Sequence, residues 1–276
     1  MKRTFLILIY NVIVLNVFAQ NIQQQTSLQQ AALKGRVKSV REQAYTAYEN
    51  ENKITKKGVN AAAKNTLITY NQAGFQTEFV NYKVNGLLDW RYTSSYNDNN
   101  LLQEEKTYNS FDSMILHSTY TYIGNNISKG YCYKSDGSLF EYWIYYYNSN
   151  QNLIEQRGFI DTSLFTKWIF KYDSANRRIE KAVLNNNDSI VWLWNCQYLE
   201  NGLRIETQSL QDNTTQWNYF DGNGILKKTV IIYDKSNVVY TDIFEYSYDS
   251  HGNWTECRAY RDEALILITE RQYVYY

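Results

Sequence analysis

Apolar and polar residues alternate along most of the chain after residue 66, in runs of roughly seven to ten residues that end in Asn, Asp or Gly. A period of two is typical of a strand with one buried face. Turn segments such as Val84-Asn85-Gly86 and Lys134-Ser135-Asp136-Gly137 supply the positive-φ positions that tight hairpins need. The pattern therefore predicts antiparallel hairpins.

These turn signals recur after a tyrosine at a nearly constant spacing. Successive marker tyrosines lie 26, 26, 25, 25, 26 and 50 residues apart, the last gap being two periods: Tyr70, Tyr96, Tyr122, Tyr147, Tyr172, Tyr198 and Tyr248. A fixed period of this size is typical of repeat architectures. We therefore predict an all-β fold of antiparallel β-hairpin repeats, about 25 residues each, that forms one long curved, coiling sheet.

Large apolar side chains precede the marker tyrosines at even offsets, which places them on one sheet face. Examples are Trp90 and Tyr92, Trp143 and Tyr145, Trp168 and Phe170, and Trp192 and Trp194. The opposite face carries Arg91, Lys167 and Lys171. A sheet buries such an aromatic ladder only by curling or pairing with another layer, so we expect the ladder to lie inside.

The N-terminus has the pattern of an export signal: a basic start, an apolar run from Phe5 to Val17, and a small residue, Ala19, before the expected cut. The run is shorter than the roughly 20 apolar residues of a spanning helix, so we expect a protein that does not span the membrane. The predicted organisation is a signal peptide (1–19), a Gln-rich leader (20–35) and a β-repeat domain (36–276). The expected location is the periplasm, cell surface or exterior of a bacterium.

The charge balance and the cysteine spacing argue against a nucleic-acid partner and against a zinc site. Lys plus Arg equals Asp plus Glu at 28 each, and neither sign clusters, so no nucleic acid is expected as a partner. The three cysteines, Cys132, Cys196 and Cys257, match no zinc spacing and are interpreted as buried, inert thiols. We expect no metal and no cofactor.

The segment Tyr248-Asp249-Ser250-His251-Gly252-Asn253 fits the Tyr-Asp-x-x-Gly-Asn signature of YD repeats, also called RHS repeats, and Tyr172-Asp173 and Tyr233-Asp234 are partial copies. Over residues 66–276 the chain thus resembles that family as a short exported bacterial member. The resemblance implies a wound β-sheet on a surface protein that acts as a shell, a scaffold or a carbohydrate-binding surface. It transfers no catalytic residue.

The sequence favours a noncatalytic exported scaffold or binding module, with a glycan or another envelope protein as partner. Its candidate ligand-binding residues are the aromatics off the main ladder, Tyr142, Tyr146 and Trp217. The alternatives are a glycan-degrading enzyme whose acids are assembled by the fold, and a purely structural surface protein. Glu104 and Glu105 cannot form a catalytic pair, because adjacent strand residues point to opposite faces, and both are interpreted as solvated charges.

Export predicts that the mature protein begins at Gln20, because cleavage is expected after Ala19. The intact mass of protein recovered from the periplasm or the medium of the producing bacterium tests this. A mass that still includes residues 1–19 would contradict the predicted cleavage.

Overall fold

The computed structural model describes residues 26–276 except residues 52, 61–62, 211–212, 234–235 and 237. The predicted signal peptide, residues 1–19, and the first part of the predicted leader lie outside these residues. The described chain forms one short helix and a series of strands: α1 (Ser27–Gln30), β1 (Val37–Asn50), β2 (Lys53–Val59), β3 (Asn65–Tyr70), β4 (Gln76–Tyr82), β5 (Leu88–Tyr96), β6 (Leu102–Tyr108), β7 (Met114–Ile123), β8 (Asn126–Lys134), β9 (Leu139–Tyr147), β10 (Leu153–Ile160), β11 (Ser163–Tyr172), β12 (Arg178–Asn185), β13 (Ile190–Leu199), β14 (Gly202–Ser209), β15 (Thr214–Asp221), β16 (Leu226–Tyr233), β17 (Val238–Tyr248), β18 (Trp254–Arg261) and β19 (Ala264–Tyr275).

The sheet closes on itself through β1. One edge of β1 pairs with β19, and the other pairs first with β3 and then, towards its C-terminal end, with β2. From β3 to β19 each strand pairs with the next, always antiparallel. Eighteen strands therefore form a closed barrel, and β2 extends β1 as a side hairpin.

Closure of the sheet into a barrel contradicts one part of the predicted fold. The all-β class and the antiparallel hairpins are confirmed, but the prediction of one long, open, coiling sheet is wrong. An open sheet leaves two rows of unpaired N–H and C=O groups at its edges. Pairing the first strand with the last removes both edges, as in other closed barrels.

Most hairpins use the same five-residue turn. At Asn97, the side-chain Oδ1 accepts hydrogen bonds from the backbone N–H groups of Asn99 and Leu101, both at 3.0 Å. The fourth residue, Asn100, has a positive φ of 59°, as expected for a type I turn followed by a bulge. The pattern recurs at Asn109, Asn148, Asp173, Asn185, Asp221 and Asp249. The Asn or Asp that follows a marker tyrosine is thus explained by a local turn.

Tyrosine hydroxyls link successive strands near one end of the barrel. Each donates to the carbonyl oxygen of the first residue of the preceding strand: Tyr96 to Gln76, Tyr122 to Leu102, Tyr172 to Leu153, Tyr198 to Arg178, Tyr246 to Leu226 and Tyr273 to Trp254. The six distances are between 2.5 and 3.0 Å. Each bond satisfies a carbonyl group at a strand end, which accounts for tyrosine rather than phenylalanine at four of the seven marker positions, Tyr96, Tyr122, Tyr172 and Tyr198.

Strand register assigns the two faces of the barrel. Trp168 pairs with Val183 and Phe170 with Lys181, so the aromatic ladder continues across neighbouring strands on one face. Trp168 and Phe170 are each only 7% exposed, whereas the Lys171 side chain on the other face is 61% exposed. The ladder therefore faces inward, as expected, although Trp192 and Trp194 are half-buried, like Arg91 and Lys167.

The segment before β1 packs across the line where the barrel closes. Leu28 and Leu33 contact the buried cluster that includes Val37 and Tyr70. Asn253, at the end of the β17–β18 turn, accepts a hydrogen bond from the Lys34 N–H and donates one to the Lys34 carbonyl oxygen, both at 2.8 Å. The described part of the predicted leader is thus held against the barrel.

We predict that Tyr172→Phe destabilises the protein by about 1 kcal/mol, because it removes one such hydrogen bond and leaves the Leu153 carbonyl without its donor. Urea denaturation followed by far-ultraviolet circular dichroism measures the change in the free energy of unfolding. Tyr248→Phe is the matched control, since Tyr248 ends a strand but is largely exposed. Equal effects of the two substitutions would contradict the structural role of the bonded hydroxyl.

Candidate ligand-binding interior

The inward face carries most of the tryptophan in the chain. Of the seven tryptophans, register places six inward and Trp217 outward: the inward six are Trp90, Trp143, Trp168, Trp192, Trp194 and Trp254. Trp143 and Trp168 meet edge to face at 6.3 Å, and Trp192 and Trp194 stack at 6.0 Å. Barrels of about 16 to 18 strands are too wide for their inward side chains to fill, so these rings line an interior space.

One wall of this interior holds a buried amine. Lys181, on β12, is 8% exposed and faces inward between β11 and β13. Its Nζ lies 3.9 Å from the ring centroid of Trp168 and 4.6 Å from that of Trp194. Burial, reinforced by the positive charge of Arg178, lowers the pKa of Lys181 to about 7. Among the described residues, Lys181 forms no ion pair with a carboxylate.

A second wall holds buried carboxyl groups. A row of inward side chains crosses four paired strands in the order Glu105, Ser118, Cys132 and Glu141. Burial raises the pKa of Glu105 above its usual value, and the hydrogen bonds from Tyr120 and Ser94 offset only part of this effect.

The carboxyl group of Glu141, on β9, is affected by burial in the same direction as that of Glu105. Burial raises the pKa of its carboxyl group, and Oε1 accepts a hydrogen bond from Trp143 Nε1 at 3.1 Å. Its other oxygen, Oε2, is buried and has no hydrogen-bond partner among the residues that the structure describes. Between the two acids, burial raises the pKa of the Cys132 thiol to about 11. This wall therefore presents weakly acidic carboxyl groups and an un-ionised thiol at neutral pH.

Other inward charges are paired. Glu42 on β1 accepts a 2.6 Å hydrogen bond from Arg271 on β19. Asp242 accepts two hydrogen bonds from the Arg261 guanidinium, at 2.7 and 2.8 Å, in a bidentate ion pair. Although burial acts to raise the pKa of Glu42, the charges of Arg271 and Lys64 lower it overall. Lys181 differs from these inward charges because no acidic side chain in the described part of the chain forms an ion pair with it.

The outward face is charged. Ion pairs link neighbouring strands or their turns at Arg91–Asp112 (2.6 Å) and Lys171–Glu180 (2.9 Å), and residues two apart on one strand at Lys106–Glu104 (2.9 Å) and Arg258–Glu256 (2.8 Å). Paired, exposed charges of this kind are well solvated by water and contribute little to stability.

The three predicted binding residues lie on this outward face and do not form one site. Tyr142 and Tyr146 are on β9, whereas Trp217 is on β15, six strands away. The Tyr142 ring stacks on Phe159 at 4.8 Å with an interplanar angle of 8°, and Arg157 lies over Tyr146 at 5.0 Å. A role for these three residues in binding stays a prediction.

The most unusual polar residues of the interior were not recognised in the sequence. Glu105 does point away from Glu104, as expected, but its interpretation as a solvated charge is wrong. Lys181 and Glu141 were not considered. The available signal was the two-residue spacing from a large apolar side chain on the same strand, because Lys181 is two residues from Val183 and Glu141 is two residues from Trp143.

Two further observations concern metal binding and membrane-spanning helices. Over the described ranges, no group of three or more His, Cys, Asp or Glu side chains is arranged to hold a metal ion. In the same part of the chain, no α-helix has the length and apolar character needed to cross a lipid bilayer.

No protein-family model matches the chain, and no curated protein matches it. Its fold is similar to a porin-like protein from Bacteroides uniformis, at 10% identity, over 87% of this chain and 98% of that one, with a TM-score of 0.44. It is also similar to an outer membrane lipoprotein-sorting protein domain from Vibrio parahaemolyticus, at 10% identity, over 89% and 88%, with a TM-score of 0.28. A TcdB2-TccC3 structure matches 79% of this chain but only 17% of that one, at 11% identity and a TM-score of 0.27.

The predicted membership of the YD-repeat family is wrong. The strands close into one 18-stranded barrel, and no family model supports the assignment. The Tyr-Asp-x-x-Gly-Asn segment forms a hairpin turn whose Asp249 caps two backbone N–H groups. That geometry is local and is available to any antiparallel sheet, so it does not identify a family.

We predict that Glu105→Gln raises the melting temperature at pH 7 to 8. A carboxyl group whose folded pKa is raised lowers stability once pH exceeds its ordinary value of 4.5. The advantage of Gln should therefore be small at pH 4 and should grow as pH rises. Differential scanning fluorimetry across this range measures it.

Glu104→Gln is the matched control on the outward face. The hydrogen bond from Lys106 lowers the pKa of Glu104, so its charged form is favoured in the folded protein and Gln should lose stability as pH rises. The two substitutions should shift the melting temperature in opposite directions at pH 7. Shifts of the same sign would contradict the assignment of Glu105 to the interior.

Proposed function

We propose that the protein is a noncatalytic, exported binding barrel of the bacterial envelope that holds an apolar ligand against its inward aromatic face. The observation that carries this proposal is the segregation of tryptophan, with six of seven on the inward face. Ligand sites in proteins are concave, lined mainly by aromatic and apolar side chains, and contain few polar groups. The part of the interior around Trp143, Trp168 and Phe170, which pack together with Tyr145, Phe165 and Val183, has that composition.

The outward face supports the same proposal. Ion pairs such as Lys171–Glu180 and Arg258–Glu256 stand where a face in contact with lipid hydrocarbon would need an apolar band. The chain thus presents charge to its surroundings and aromatic rings to its interior. This arrangement suits a carrier that works in an aqueous compartment. The predicted signal peptide at residues 1–19 supports export of that carrier.

The spacing of the interior acids supports a noncatalytic role. Glu105 lies on β6 and Glu141 on β9, three strand spacings apart. This separates their backbones by about 14 Å, whereas the carboxyl groups of glycoside hydrolases lie roughly 5 to 9.5 Å apart. The alternative of a glycan-degrading enzyme therefore has less support.

Glycan binding on the outward face also has less support than binding inside. A sugar stacks on the open face of an aromatic ring, and one face of the Tyr142 ring is covered by Phe159. Tyr146 and Trp217 are too far apart in the sheet to contact one small glycan together. A glycan array tested against Tyr146→Ala and Trp217→Ala distinguishes the two proposals.

We predict that a dibrominated stearate quenches most of the tryptophan fluorescence of the protein, because bromine quenches only rings that it approaches closely and most rings face the interior. Titration at constant protein concentration gives the dissociation constant. Trp217→Phe should leave the affinity and the absolute loss of fluorescence unchanged, since its ring is outside and is not quenched.

The comparison with Trp194→Phe completes the test. This substitution should reduce the quenched signal, because Trp194 lies on the inward wall beside Lys181. An absence of quenching in the wild-type protein would refute the interior site. A quenching signal that disappears in Trp217→Phe would place the ligand on the outward face instead.

A further inference from the structure

Lys181 is unusual because no carboxylate within the described ranges pairs with its charge. It lies on the inward face, more than nine-tenths buried, with an indole ring on either side. The π faces of Trp168 and Trp194 attract a cation, but they replace neither the hydration shell nor a counter-ion. A buried ammonium group without a carboxylate is unfavourable, and it becomes favourable when an anion reaches it.

The groups around Lys181 make a protonated amine at this position still less favourable in the absence of an anion. On β12, Arg178 adds a second positive charge to the same wall, and its guanidinium lies 5.9 Å from the Phe170 ring centroid. From β11 and β13, the titratable groups that face this region are Tyr172, Cys196 and Tyr198, and burial raises the pKa of each. These three groups are neutral near pH 7, so they add no negative charge beside Lys181.

The acidic residues of neighbouring strands do not neutralise this wall. Glu180 pairs with Lys171 on the outward face, and Asp188 pairs with Lys167 there. The buried Glu105 and Glu141 are on β6 and β9, outside the β11–β13 wall. Lys181 therefore lies on a different wall from Glu105 and Glu141, and the inward acids Glu42 and Asp242 are already paired with arginine side chains.

From this geometry we propose that Lys181 binds the anionic head group, a carboxylate, of an amphipathic ligand whose apolar part packs on Trp168, Trp194 and the neighbouring inward rings. This inference rests on the proposed interior binding function and specifies the ligand class. The carboxylate would complete the ion pair that the protein leaves unmade, and the aromatic ladder would cover the chain.

The test compares dibrominated stearate with its methyl ester, which has the same chain and no charge. Lys181→Met should weaken binding of the acid by about tenfold or more, since bonds to charged groups are the stronger ones, and should leave binding of the ester unchanged. Lys181→Arg, which keeps the charge, should retain the preference for the acid. Lys167→Met, on the outward face, is the matched control and should change neither affinity.

The pH dependence gives an independent readout. Affinity for the acid should fall as pH rises from 6 to 9, because the pKa of Lys181 is about 7 and the amine loses its proton in this interval, whereas affinity for the ester should stay constant.

The outcomes separate the two proposals. If Lys181→Met binds the acid as tightly as the wild type does, the head-group assignment is wrong, although the interior site stands. If the wild type binds neither compound, both proposals fail.

Discussion

Closure of the sheet at β1 is the constraint on which the rest of the structure depends. Without the pairing of β1 with β19 on one edge and with β3 on the other, 18 strands would form a ribbon with no inside. The closing strand pair also buries the Glu42–Arg271 ion pair, whose residues are 229 positions apart in the chain. Because a closed barrel has no free edges, it protects a very long antiparallel sheet from pairing with other chains.

Closure also decides what each face of the sheet can do. Both faces of a flat sheet of this composition would meet water, and a ladder of tryptophan and tyrosine would be an exposed apolar surface. Once the sheet closes, the ladder lines an enclosed space and the ion pairs of the outward face meet the solvent. Lys181 then becomes a buried amine, and the ligand carboxylate proposed above would offset the cost of burying its charge.

The repeated features of the chain have local causes. The Asn or Asp that begins each turn caps two backbone N–H groups within four residues, and the tyrosine hydroxyls each reach a carbonyl group 19 or 20 residues earlier, one hairpin back. Both interactions are made by any hairpin of this length, whatever the sheet does next. This is why a tyrosine-marked period of about 25 residues resembled a repeat family and yet did not specify how the repeats assemble.

The sequence by itself determined the β class, the antiparallel hairpins and the separation of an aromatic face from a charged one. Each of these is set by neighbours in the chain, through turn chemistry and the two-residue period of a strand. It also determined that Glu104 and Glu105 point in opposite directions. Only the tertiary structure decided that the sheet closes, because closure joins β1 to β19 through register and curvature summed over all strands. Closure of the sheet also decides the surroundings of Lys181 and Glu105. The residues next to them in the sequence do not mark them as inward, and they are enclosed only when the strands on either side come together.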